Sequence, residues 1–204
     1  MATRTFPLTG FIGVAAEAFT VTVSAGPFAV SVTADDNIFD RLLVAVDGQR
    51  LLLGLVPGTS LRGVTLTAQV SLPDLTALDA SGSARITVGG FNGSTSRAVS
   101  ASGASVVNGN FDSGPVRVEL SGASTGHFSG RCTDLDVRAG GASHLEALGL
   151  NCSTATVDLS GASDGTITAQ SVQGQLSGAS RLLYGPETAS VRVDTSGASS
   201  VARR

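Results

Sequence analysis

The chain has 204 residues, 42% apolar and 14% charged, with a formal net charge of −3. That length allows one or two domains with a substantial core, and the slight negative charge argues against nucleic acid as the main partner. No run approaches the roughly 20 apolar residues of a transmembrane helix, and every basic residue is Arg.

Met1-Ala2-Thr3-Arg4-Thr5 leads directly into strand-like sequence, with no secretory leader. The expectation is a mature exported protein whose leader is gone, or a cytoplasmic one. Phe19-Thr20-Val21-Thr22-Val23 and Phe28-Ala29-Val30-Ser31-Val32 alternate around a turn at Ala25-Gly26-Pro27. They read as a hairpin or as two coil strands. The following segment carries Asp35, Asp36 and Asp40. Clustered carboxylates suit a hard cation, so these three are the metal candidates. The segment lacks the spacing of an EF-hand loop, and Asp and Asn are ordinary turn residues, so a plain turn is preferred. Leu42 to Val46, then Asp47-Gly48, then Leu51 to Leu53 carry a hairpin signal. Pro57 to Ser60 read as a loop, and Val64 to Val70 as another alternating strand. No stretch has helical periodicity with caps.

From Ser81 onward one tetrapeptide organises the chain. Ser-Gly-Ala-Ser begins at Ser102, Ser121, Ser160, Ser177 and Ser196; Gly140-Gly141-Ala142-Ser143 and Ser81-Gly82-Ser83-Ala84 are altered copies. The motif glycines are Gly82, Gly103, Gly122, Gly141, Gly161, Gly178 and Gly197, separated by 21, 19, 19, 20, 17 and 19 residues. A period near 19 marks a repeat architecture. Two, four and six residues before each glycine the columns are mostly apolar, as in Leu120, Val118 and Val116. Three and five before, they are polar or charged, as in Glu119 and Arg117. Period-two alternation is a strand with one buried face, and the glycine permits the corner that ends it. One unit cannot bury its own apolar face, but stacked units can. The predicted fold is all-β: a right-handed parallel β-helix, or β-solenoid, with rungs of about 19 residues. Residues 1–204 form one domain, with strands of 1–80 covering one end and 81–204 building the rungs.

Cys132 and Cys152 each precede the next motif glycine by nine residues, so stacking sets them side by side. Either a disulfide or two buried thiols would fit. His127 and His144 are expected as solvated surface groups, near each other but not stacked, with no zinc. Charges alternate down the outward columns: Arg117 faces Asp136, and Glu119, Arg138 and Asp158 follow one another. That reads as cross-strand pairing in preference to a catalytic face. The serines before the glycines, from Ser81 to Ser196, have neither a positioned base nor an orienting group. They read as corner residues bonded to solvent or backbone, not as nucleophiles.

The segment Asp35-Asp36-Asn37-Ile38-Phe39-Asp40, then Leu72-Pro73-Asp74-Leu75 before Ser81-Gly82, then the serial Ser-Gly-Ala-Ser copies, resemble the GIN-domain family. Its members are described as head domains of auto-transporter adhesins. The resemblance runs from about Phe11 to Val201, with departures in the scrambled first motif and the missing export signal. It implies a β-helical domain exported to the bacterial envelope, periplasm or cell surface, and it carries over no catalytic or binding residue. The expected function is a non-enzymatic surface domain for adhesion or glycan binding, its partner a cell-surface glycan or protein. A polysaccharide-active enzyme and a purely structural module are the alternatives. No cofactor is implied. Because a solenoid exposes unpaired backbone on its final rung, homo-oligomers through the C-terminal rung are also expected.

Overall fold

The computed structural model describes residues 1–61 and 63–204. It is nearly all strand, 63% against 3% helix, wound into a β-solenoid of about six turns with rungs of roughly 20 residues. Among the described residues no helix is long and apolar enough to cross a membrane.

Each rung carries one strand before the corner and one after it. The pre-corner side stacks, in parallel, β6 (Arg50–Leu55), β2 (Gly13–Glu17), β8 (Ala77–Ser81), β10 (Arg97–Ala101) and β12 (Val116–Leu120). It continues with the later halves of β13 (Thr125–Ala139), β14 (His144–Leu159) and β15 (Asp164–Leu176), and ends on β17 (Ser190–Thr195). The post-corner side stacks β7 (Thr67–Leu72), β3 (Thr20–Ala25), β9 (Arg85–Asn92) and β11 (Val106–Asp112). The early halves of β13, β14 and β15 follow, then β16 (Arg181–Tyr184) and β18 (Ser200–Arg203).

The alternating columns explain the core. Val118, Val137 and Val157 align across successive rungs and are fully buried, as are Leu135, Leu145 and Leu159 around them. Arg138 and Asp158, one residue on, are exposed. The corners close by the same logic. Each corner glycine has positive φ, between 65° and 77°. The amide of the following residue continues the ladder, as in Ala123 N–H to Gly103 O at 2.8 Å. The last serine of each motif turns inward. Ser105, Ser124, Ser143, Ser163 and Ser180 are all buried. Ser105 donates to the Ser102 carbonyl, Ser163 to that of Ser160 and Ser180 to that of Ser177, at 2.7–2.9 Å. These hydroxyls satisfy carbonyls that the bend removes from the ladder, where an unpaired one would cost about 1–3 kcal/mol.

Residues before Ser81 do more than cover an end. Glu17, Ala18 and Phe19 form a corner between β2 and β3, and that rung lies between the β6–β7 rung and the β8–β9 rung. The solenoid therefore extends into the 1–80 segment, against the sequence-based division at residue 80. The cap is narrower. The strands β1 (Ala2–Phe6), β4 (Ala29–Ala34) and β5 (Leu42–Asp47) are antiparallel: β5 pairs with β6, β4 with β7, and β1 with β4. Antiparallel strands cover the edges of the terminal rung, which would otherwise offer unpaired backbone. The expected β5–β6 hairpin forms around Gly48-Gln49, with Asp47 opposite Arg50. The alternative hairpin between residues 19–23 and 28–32 does not form, because β7 lies between β3 and β4.

Candidate functional site

The outward surface after the corner holds the candidate site. Register aligns Thr87, Asn108, His127 and Glu146 in one column, and Gly89, Asn110, Ser129 and Gly149 in the next outward one. Two glycines in that second column leave space, and a trough of about 360 Å³ runs over Thr87, Asn108, Asn110, His127, Ser129 and Glu146. His127 Nδ1 lies 2.9 Å from Glu146 Oε2, and Asn110 Nδ2 donates to Ser129 Oγ at 2.7 Å. His144 pairs instead with Thr125 and Asp164 by register and is exposed. His127 is therefore not a lone surface histidine: Glu146, five residues past its own corner glycine, shares its column.

The ladder is irregular at this place. Register slips between Asn110 and Phe111 against β9, between His127 and Ser129 against β14, and between Ala147 and Asn151 against β15. Bulges re-aim side chains and cluster next to functional sites. All three match spacings that leave the period: 21 residues from Gly82 to Gly103, 20 from Gly141 to Gly161 and 17 from Gly161 to Gly178.

The outward surface before the corner carries the charges. A second trough of about 350 Å³ opens where Gly140 replaces the corner serine, bordered by Glu119, Arg138 and Asp158. The register there is as read from the sequence, Arg117 opposite Asp136 and Glu119 opposite Arg138. The ion pairing differs: Arg117 turns along its own strand to Glu119, 2.7 Å away, instead of across to Asp136. Two residues apart on one strand lie on one face, so the bend costs little.

Asp79 sits farther along this surface. Burial raises its pKa, partly opposed by the Arg50 charge. Arg50 Nη1 lies 3.1 Å from Asp79 Oδ2, yet that buried oxygen receives no hydrogen bond. It adjoins a recess of about 190 Å³ lined by Ala15, Leu43 and Leu52.

Asp35, Asp36 and Asp40 lie around the 3-10 turn Asp36–Arg41. Asp36 accepts from Arg4 at 3.0 Å, and Asp35 lies 3.7 Å from the terminal ammonium. Arg4 also stacks over Phe39 at 4.1 Å. Asp36 thus faces a cation of β1 and Asp35 the ammonium of Met1, and among the described residues no group of three or more His, Cys, Asp or Glu converges. Cys132 and Cys152 stand opposite each other in register and are joined by a disulfide, Cα atoms 4.6 Å apart. Nearby, the Arg131 guanidinium bonded to Asp112 lowers the pKa of that carboxyl, and the Thr154 hydroxyl does the same for Asp134.

One charged residue lies where none was expected. Arg97 occupies an inward column and is only 3% exposed. It donates to the Leu75 carbonyl, approaches Asp74 at 3.4 Å, and lies 5.6 and 5.8 Å from the ring centres of Phe91 and Phe111.

The fold has solved relatives. A crystal structure of "a putative adhesin" from Bacteroides fragilis superposes with a TM-score of 0.89 at 16% identity, covering 100% of this chain and 96% of that one. A "putative lipid binding protein" from Parabacteroides distasonis gives 0.75 at 14% identity, with coverage of 100% and 96%. A "putative adhesin" from Parabacteroides merdae gives 0.71 at 15%, with 100% and 95%. No curated protein matches the chain. Residues 12–201 match the family described as "Putative auto-transporter adhesin, head GIN domain", and the chain belongs to that family.

Proposed function

We propose that the domain is a non-enzymatic binding module of the bacterial envelope or cell surface, whose side walls engage a cell-surface glycan or protein. The family and its solved relatives support an adhesin-like surface role. The observation that carries the reading is the outward surface itself, flat ladders of polar side chains on a scaffold of stacked parallel strands. The charged trough argues against the polysaccharide-active alternative. Glu119 and Asp158 are two rungs apart, roughly 10 Å, and Arg138 occupies the rung between them. Glycosidic cleavage needs two carboxylates facing a gap that the sugar enters. The Cys132–Cys152 bridge fits an oxidising compartment, hence export.

Beads coated with the domain should bind whole cells or their surface extracts above the level of beads coated with an unrelated β-solenoid of matched charge. Equal retention on both would refute the adhesive reading. We also propose that copies associate through the C-terminal rung, where Val191 is 36% exposed and where, among the described residues, β17 pairs only with β15 and β18 only with β16. Light scattering over a concentration series should show a dimer or larger species, and a monomer throughout would refute it.

A further inference from the structure

We infer that the trough over β9, β11, β13 and β14 is a binding site for an uncharged glycan chain lying along the solenoid axis. This rests on the adhesive reading and names its site and ligand class.

The polar groups fit hydroxyl ligands. The internal bonds of the trough engage His127 Nδ1, Glu146 Oε2 and the Asn110 amide nitrogen. They leave Glu146 Oε1, His127 Nε2 and the Asn110 carbonyl oxygen to a ligand, beside the Asn108 amide and the Thr87 hydroxyl. That set mixes donors and acceptors, and a sugar hydroxyl needs both. The side chains repeat at the strand spacing of about 4.8 Å, close to the length of one pyranose. A chain parallel to the axis therefore meets a fresh polar group at each rung.

The floor fits the sugar's C–H face. It is formed by the side chain of Leu148, by Gly149, and by the backbone at Val88 and Gly109, both of which turn toward the core. The β14 bulge places Leu148 partly exposed between buried Ala147 and exposed Gly149. A Cβ on Gly149 would meet Ser129 Cβ at 3.2 Å and the Phe128 carbonyl at 3.7 Å, so a bare glycine keeps the floor low here. A peptide is a poorer occupant. The strands here are paired on both sides, so no edge is free for strand addition. Charge selects further: Glu146 is the trough's carboxylate and His127 is already bonded to it, so an acidic chain meets repulsion.

The test is titration calorimetry with three probes: β-1,4-linked tetrasaccharides of glucose and of N-acetylglucosamine, and tetragalacturonate as the acidic case. At least one neutral tetrasaccharide should bind the wild-type domain, and tetragalacturonate should not. Glu146→Gln should weaken binding about tenfold, one lost charged hydrogen bond, and Asn108→Arg, which fills the trough from its wall, should weaken it at least as much. Gln173→Arg, on the pre-corner surface, should leave it unchanged. Circular dichroism melts would verify that each variant is folded. Binding unaffected by the trough variants overturns the assignment. So does binding of cells without binding of any neutral probe, which leaves the adhesive reading standing. Retention of neither cells nor sugars overturns both.

Discussion

The carbonyl oxygen of Gly82 lies 2.7 Å from where a Cβ on Gly103 would stand. The same relation recurs up the stack: Gly122 against the Gly103 carbonyl at 2.8 Å, Gly141 against Gly122 at 2.6 Å, Gly161 against Gly141 at 2.5 Å. Each corner glycine from Gly103 on is required twice, for its positive φ and because its neighbour's backbone fills the Cβ position.

The first prediction separates those two requirements. Gly82 has φ 65°, but the nearest atom to its would-be Cβ is a Glu17 methylene at 3.5 Å. Gly82→Ala therefore pays only the left-handed backbone cost, about 1–2 kcal/mol. Gly122→Ala adds a clash with backbone that cannot move without shifting the rung, and should cost about 4 kcal/mol or more. Denaturant melts of both variants check this. Equal losses would mean the corners are not in contact. Ala18, at the corner of the β2–β3 rung with φ 60°, shows that the backbone term alone is tolerated.

That Ala18 corner marks where sequence reading stops. From Gly82 on, the rungs repeat mostly the same residue classes in the same columns, so period and parity suffice to place the core. The β2–β3 rung has no Ser-Gly motif, and its place between two later segments is set by long-range pairing that no local pattern encodes. The site was legible only in part. His127 and Glu146 each stand five residues past a corner glycine, so their pairing is in the spacing. The bulges appear only as intervals of 21, 20 and 17 residues, which do not say where the extra or missing residues fall. Arg97 shows as an oddity in an apolar column, but its contact with Asp74 depends on the path of the rung before it.

The second prediction concerns register. Val137 is fully buried between Val118 and Val157, while Arg138 is exposed. Val137→Asp places a carboxylate in an aliphatic ladder and should cost several kcal/mol, or raise that carboxyl's pKa sharply. Arg138→Ala should change stability by about 1 kcal/mol or less. Thermal melts with comparable shifts for the two would refute the parity.

The third prediction concerns the buried cation. Asp74 is about half exposed, so water can take over if its partner goes; Arg97 has no such recourse. Asp74→Ala should therefore cost about 3 kcal/mol, the penalty of an uncompensated buried charge. Arg97→Met, which keeps the bulk against Phe91 and Phe111, should cost about 1 kcal/mol or less, since hydrophobic replacement of a buried charge is often neutral. The reverse order in urea denaturation would show that Arg97 is held by the rings and the Leu75 carbonyl, not by Asp74.

The fourth prediction is the bridge. Cys132 and Cys152 are 20 residues apart in sequence, and closing a loop of that size restricts the unfolded chain by roughly 3 kcal/mol. Intact mass after alkylation without reductant should show no modified thiol. The double Cys→Ala variant should melt lower by an amount matching that energy. Full alkylation of the native, unreduced protein would show the thiols are free.

The fifth prediction turns on the sign of one titration. Asp79 has its pKa raised chiefly by burial, with Arg50 pulling the other way. A carboxyl whose folded pKa lies above its unfolded value, about 3.9, binds its proton more tightly when folded. Its stabilising contribution is complete below the unfolded pKa and is lost as pH rises through the folded one. At neutral pH the ionised group is a liability, with one oxygen buried and lacking a hydrogen bond. Asp79→Asn should therefore melt higher than wild type at pH 7, and the gap should close as both are taken to pH 3, where the wild-type carboxyl is protonated as well. Melting temperatures of the two proteins across that range decide it. An Asn variant less stable at pH 7 would show that the attraction of Arg50, 3.1 Å away, outweighs desolvation.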